Sequence, residues 1–309
     1  MGNRKILGGV LTIQLAALFA GTVQAAEPGY SMYYQEASID EATKAVLLEK
    51  ERLVEMYVEA KQGKRSMEEV EKAVQNFEKK HKIDPKRPLA TSKFSSHPSK
   101  PDDPKTVQTG TSPGSVSAQR TPNYSSNYVY DLYQETQWNG YYCGPATAAM
   151  IIKSKQVSTS QSETASLLGT ESYKETPWSV GPSTSPSYPM RDALNYKLNT
   201  SWYVPYGLPE SVTTTTFKDH ITFDVDFDYG VAGDAYEVPN GPHLVGHPVS
   251  QTIYHWFAID GYSNNGDSTH YADPASGCSA LSWGNNVPKY STMSTSTVAT
   301  IVNGRGIIW

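Results

Sequence analysis

Hydrophobic and polar positions divide the chain into four stretches of different character. At the amino end Arg4 and Lys5 precede a mostly apolar run from Ile6 to Ala20, and Val23-Gln24-Ala25 follows as a cleavage-type tripeptide. That order of charge, apolar run and cut site predicts a secretory signal peptide over residues 1–25. The run is too short for a bilayer span, and no later segment is apolar enough to cross a membrane. The expectation is an exported chain, secreted or associated with the cell surface, without a membrane-spanning segment after processing.

Residues 26–85 alternate with helical period. Ser38-Ile39-Asp40-Glu41 and Ser66-Met67-Glu68-Glu69 both have the form of a capping box, and Gln62-Gly63-Lys64-Arg65 lies between them as a turn. Met67, Val70, Val74 and Phe77 share one helical face, while Ala45, Leu48 and Tyr57 punctuate a Glu- and Lys-rich segment. The pattern predicts a helical hairpin too small to be very stable alone. It reads either as a solvated appendage or as an intramolecular pro-region packed over a groove. Residues 86–124 are dominated by Pro, Ser, Thr and Lys, which bury little, and predict a disordered linker open to proteolysis.

From about residue 125 to the end at 309 the chain becomes aromatic and patterned. "CGPATAAMIIKSK", residues 143–155, predicts a buried helix in which Pro145 fits only the first turn. Further helices are expected over 161–168 and 190–198. Then "HPVSQTIY", "HWFAIDGY" and "HYADPA" read as short strands, with Asn264-Asn265-Gly266-Asp267 as a hairpin turn between the last two. "STVATIVNGRGIIW" reads as a final strand with a turn. Helices followed by an antiparallel sheet make an α+β fold.

Composition narrows the function. The 309 residues carry 26 Lys+Arg against 31 Asp+Glu, a formal net charge of -5. A nucleic-acid partner would require a basic surface, so that class is excluded. The 21 Tyr and 6 Trp suit both a core and a wet groove.

Two cysteines in an exported chain invite a Cys143–Cys278 disulfide. Cys143 also stands where a nucleophile would. A helix amino terminus lowers a thiol pKa, and Gly144 allows a substrate close approach. Tyr141 and Tyr142 would line a groove. A thiolate needs a base that also protonates the leaving amine, and an imidazole suits neutral pH. Of the seven histidines, His255 opens the "HWFAIDGY" strand. If that strand pairs with the one ending at Asp273, the hairpin brings His255 beside a carboxylate able to orient it. His270 is a rival base. Gln137, six residues ahead of Cys143, can supply an amide to a developing oxyanion alongside the Cys143 backbone N–H.

The ordered set of Gln137, Cys143-Gly144-Pro145-Ala146, His255 to Tyr262 and Asp273-Pro274 resembles the papain-like cysteine peptidases. Its branch is similar to the bacteriocin-processing, double-glycine peptidases, and "GHPVSQTI" is similar to the strand that precedes the histidine strand there. The resemblance spans about Tyr128 to Trp309. It implies Cys143 as nucleophile, His255 as general base and acid, Asp273 as orienter and Gln137 as oxyanion donor, with a peptide or protein as substrate and no cofactor or metal. The processing enzymes are usually fused to membrane exporters, whereas this chain carries a signal, so a double-glycine leader substrate does not follow. The same thiol chemistry serves a transglutaminase or a cell-wall amidase, and a bridged Cys143 would make the domain a surface-binding pseudoenzyme. Asp224, Asp226 and Asp228 read as an acidic solvated strand face, their spacing unlike an EF-hand. His243 and His247 can ligate zinc but show no acidic partner in sequence. Trp256 and Trp283 read as packing or groove walls.

Overall fold

The computed structural model describes residues 41–81, 125–171, 174–181, 187–208 and 211–309. The expected signal peptide, the expected linker and Ser38 of the first capping box lie outside the described residues.

Helices α1 (Glu41–Lys61) and α2 (Met67–Lys80) form the hairpin. The second capping serine works as expected: the Ser66 hydroxyl accepts the Glu69 N–H at 3.2 Å. Val70, Val74 and Phe77 of α2 are buried. The polar pattern of α1 hides how thoroughly that helix is embedded. Lys50 is fully buried, its Nζ 3.0 Å from Asp224 Oδ1 and 4.1 Å above the Trp309 ring. Tyr57 donates to Asp226, and the Glu78 carboxylate accepts from Tyr229 at 3.0 Å. These contacts lie on a helix of the following domain and around its buried tryptophans, so the hairpin shares a core with that domain.

The domain continues with β1 (Asn127–Tyr128), α3 (Cys143–Ser154), α4 (Gln161–Leu168), α5 (Pro189–Leu198), β2 (Pro205–Gly207) and α6 (Thr214–Asp226). It ends with β3 (Val231–Glu237), β4 (Ile253–Ser263), β5 (Ser268–Ala272), β6 (Tyr290–Ser294), α7 (Thr295–Val302) and β7 (Gly306–Ile308). The strands form one antiparallel sheet in the order β2-β7-β3-β4-β5-β6, with β1 also paired to β4. Every residue of β4 from His255 to Tyr262 is buried, so both faces of this central strand are covered. The fold is α+β, helices first in the domain and sheet after.

Three readings of the sequence are corrected. The Asp224–Asp226 stretch is the end of α6, not a strand, and its acids are buried: Asp224 pairs with Lys50, while Asp226 accepts from Tyr57, Tyr262 and Asn127. Thr213 caps that helix through Thr216 N–H, and packing overrides the β-branched composition. "HPVSQT" is turns and loop, with β4 beginning only at Ile253. "TSTVATIV" forms α7, capped by Ser294, and only Gly306–Ile308 is strand. The Asn-Asn-Gly turn is present, with positive φ at Asn264, Asn265 and Gly266.

Candidate active site

Cys143 is the first residue of α3 and is 4 % exposed. Gly144 is required beside it, because a Cβ there would collide with the Thr176 side chain. Thr176 in turn accepts the Trp256 indole N–H at its carbonyl, 3.0 Å away. These contacts lock the amino end of α3 against the start of β4. The backbone N–H groups of Trp256 and Gly144 act to lower the Cys143 thiol.

The thiol is not lowered as a helix terminus alone would predict. Burial, reinforced by the nearby Glu175 and Asp234 carboxylates, pushes it up to about 12, against the pull of those two N–H groups. Asp234 is itself raised to about 7, chiefly by burial, although Arg305 lies 3.4 Å from it and acts the other way. The resting sulfur therefore keeps its proton at neutral pH, and any nucleophilic step needs a base at hand.

His255 is the third residue of β4 and the immediate neighbour of Trp256. Its Nε2 is 2.8 Å from Asp273 Oδ1. The β4–β5 register explains the meeting: Ala258 pairs with Ala272, so the chain just past β5 passes the start of β4. The ladder slips between Ile259 and Gly261, a bulge the sequence did not reveal. Asp273 is fully buried and also accepts the Ala275 N–H at 2.8 Å. Burial would raise its pKa, but the charge on His255 and the hydrogen bonds from His247 and His255 outweigh that and hold it well below the usual carboxylate range.

His247, which the sequence offers only as a candidate zinc ligand, belongs to this site. Its Nε2 is 3.2 Å from Asp273 Oδ2 and its Nδ1 is 3.0 Å from Glu237 Oε2. The absence of an acidic partner in the sequence reading is thus corrected. Glu237 ends β3, a strand the sequence reading did not recognise, so the pairing of residues 237 and 247 had no visible frame. His247, His255 and Asp273 offer donor atoms within 4.8 Å of one another. Each imidazole Nε2 faces its own carboxylate oxygen, so hydrogen bonds occupy the directions a cation would use.

Gln137 is 2 % exposed and lies on a segment stitched to the residues after β5. Its N–H donates to Pro274 O at 2.8 Å, Gln134 Nε2 donates to Asp273 O at 3.0 Å, and the Thr136 hydroxyl donates to Ser276 O at 2.8 Å. The Gln137 side-chain Nε2 donates to Asn139 O at 2.7 Å, which leaves its second proton for another acceptor. Next to it Trp138 is 60 % exposed and stacks on Tyr142 with ring centroids 6.3 Å apart. This puts an aromatic wall directly before Cys143.

The remaining candidates fall elsewhere. His270 sits in β5 among Tyr128, Ser263 and Thr292, which meet its ring nitrogens at 2.8 to 3.1 Å, and not beside Asp273. Cys278 is buried, and both cysteines are free thiols. His243 has both ring nitrogens on backbone carbonyls, of Gly241 and Gln251, at 3.0 Å each. Trp256 is buried, and the Trp283 ring lies 4.5 Å from that of His247.

A family model described as the Peptidase_C39 like family matches residues 128–297. Among solved structures, a Bacillus anthracis protein described as a C39-like peptidase aligns over 59% of this chain and 96% of its own, at 10% identity and a TM-score of 0.35. No curated protein matches.

Proposed function

This chain belongs to the Peptidase_C39 like family, and from that premise we propose that it is an exported cysteine peptidase whose working residues are Cys143, His255, Asp273 and Gln137. The family is one of papain-like cysteine peptidases, which act on peptide bonds. One observation carries the assignment of residues: His255, 2.8 Å from Asp273, is followed in its strand by Trp256, whose indole N–H is bonded to the Thr176 that packs against Gly144, the residue after Cys143.

With Nε2 committed to Asp273, Nδ1 of His255 is the nitrogen that takes the thiol proton. The sulfur attacks the substrate carbonyl carbon as that proton leaves. The Cys143 backbone N–H and the Gln137 amide stabilise the oxyanion. Collapse of the tetrahedral adduct breaks the C–N bond, and the imidazolium gives its proton to the departing amine. Water, deprotonated by the same imidazole, then hydrolyses the thioester and restores the thiol. Asp273 remains ionised throughout and stabilises the imidazolium. Because the resting thiol is high, proton transfer to His255 is coupled to attack and does not precede substrate binding. The Trp138–Tyr142 wall supports a peptide substrate lying along the amino end of α3.

The helical hairpin is a retained part of this enzyme in the same reading. Its buried anchors at Lys50, Tyr57 and Glu78 support that reading over a removable pro-region. Incubating the purified chain with a diverse peptide mixture and identifying products by mass spectrometry tests the activity. New peptide termini are expected with the native chain and none with Cys143→Ala. Equal product formation by both would overturn the assignment.

A further inference from the structure

His247 has both ring nitrogens on carboxylate oxygens, Glu237 Oε2 at 3.0 Å and Asp273 Oδ2 at 3.2 Å. A neutral imidazole can donate only once, and its other nitrogen would then turn a lone pair toward an anion. With both carboxylates ionised, the two contacts are satisfied together only when both nitrogens carry protons. Every side chain of this trio is fully buried. The site also fixes where His247 can be. Gly246 has φ +86°, and a Cβ there would run into the Asn286 carbonyl, so this turn admits only glycine comfortably. Trp283 covers one face of the ring.

We propose that His247 is a positioning residue of the Cys143 site: an imidazolium at neutral pH, gripped between Glu237 and Asp273, that holds the Asp273 carboxylate toward His255 and opposes a second positive charge there. The proposal rests on the reading of Cys143, His255 and Asp273 as the catalytic set. Asp273 Oδ1 accepts hydrogen bonds from His255 and the Ala275 N–H, while Oδ2 faces His247. His247 thus orients the carboxylate from its far side. It also works against His255 electrically. The two rings stand 5.0 Å apart at 78°, so a fixed positive charge on one disfavours a second on the other.

The groups around His247 leave the sign unchanged. Glu237 from β3 and Asp273 after β5 favour its charge, and His255 from β4 opposes it. His243, whose Nε2 lies 3.9 Å from Glu237 Oε2, is bonded to a carbonyl. The Tyr271 hydroxyl accepts the Val245 N–H and stays neutral. Burial pulls the His247 pKa down, but the hydrogen bonds to Asp273 and Glu237 and their charges outweigh that and bring it to about 9.

Imidazole-resolved NMR titration of the full chain tests this, with resonances assigned through His247→Gln and His255→Ala. In the native chain His247 is expected to keep its proton through neutrality and lose it near pH 9. In His247→Gln, which keeps a donor but no charge, the His255 titration and the acid limb of kcat/KM should move together to higher pH. At the 5.0 Å ring separation a unit charge displaces a neighbour's titration by roughly one to two pH units. Glu237→Gln should lower the His247 midpoint. A native His247 titrating near the ordinary imidazole value, or a His255 midpoint unmoved in His247→Gln, overturns the proposal. If that variant does not fold, the native titration alone decides. The titration needs no turnover, so a protonated His247 in a chain that cleaves nothing would refute the peptidase reading and leave this charge assignment standing.

Discussion

Replacing Lys50 by methionine would show whether the helical hairpin is a structural part of the domain it packs on. The Lys50 ammonium sits 3.0 and 3.2 Å from the two Asp224 oxygens, with neither side chain exposed. It lies over Trp202 at 4.5 Å and Trp309 at 4.1 Å. Burial lowers its pKa to about 8 against the opposing pull of Asp224, so the ammonium keeps its charge at neutral pH, while burial raises the Asp224 carboxyl against the pull of Lys50. Methionine keeps the stem and removes the charge, leaving Asp224 buried without its cation. Breaking one side of a buried pair costs about 3–5 kcal/mol. With a urea m-value of about 2–3 kcal/mol/M, the unfolding midpoint should fall by roughly 1–2 M, and the melting temperature by about 10 °C. Lys50→Met combined with Asp224→Leu removes both charges and should recover most of the loss. A loss below about 1 kcal/mol in the single variant, the size of a solvated pair, would mean that the hairpin is not docked in solution. A double variant as unstable as the single one would mean that packing, not charge, was lost.

Removing the amide in Gln137→Ala should lower kcat by about 10²–10³ while leaving KM nearly unchanged, and steady-state kinetics on any peptide found to be cleaved will show whether KM moves instead. Stability should also follow pH through the His247–Asp273 pair. His247 rises from 6.5 to about 9 on folding, a contribution of about 3 kcal/mol that is full below pH 6.5 and is lost as pH climbs through 9. Asp273, held below its ordinary 3.8, contributes above that pH and loses its contribution as pH falls. Urea midpoints measured from pH 4 to 10 should therefore peak between about 4 and 6.5 and decline on the alkaline side, less steeply in His247→Gln. A flat profile between pH 6 and 9 would contradict the charge on His247.

Much of the scaffold around the cysteine was legible because its signals are local. The span of α3 follows from an apolar run with proline in its first turn, and the Ser66 cap from a four-residue motif. The meeting of His255 with Asp273 could be counted from a hairpin turn, since an antiparallel pair returns on itself at a fixed rise. What stayed hidden depends on distant partners. Nothing near Asp224 in sequence announces Lys50, 174 residues away, and without that partner three alternating acids look like a solvated strand. Glu237 and His247 were invisible as a pair because β3, mixed in composition, does not stand out as a strand. The thiol went the wrong way for a related reason: the helix terminus is local and was seen, whereas Glu175 and Asp234 approach Cys143 through the tertiary fold.

The central claim, that Cys143 attacks only with the help of His255, is tested most directly by mapping the sites and rates of modification by a chloroacetamide-terminated peptide under reducing conditions. Rapid adduct formation on Cys143, little on Cys278, and a drop of about 10²-fold or more in His255→Ala is the predicted result. Equal labelling of the two cysteines, or a Cys143 rate indifferent to the loss of the imidazole, would contradict it.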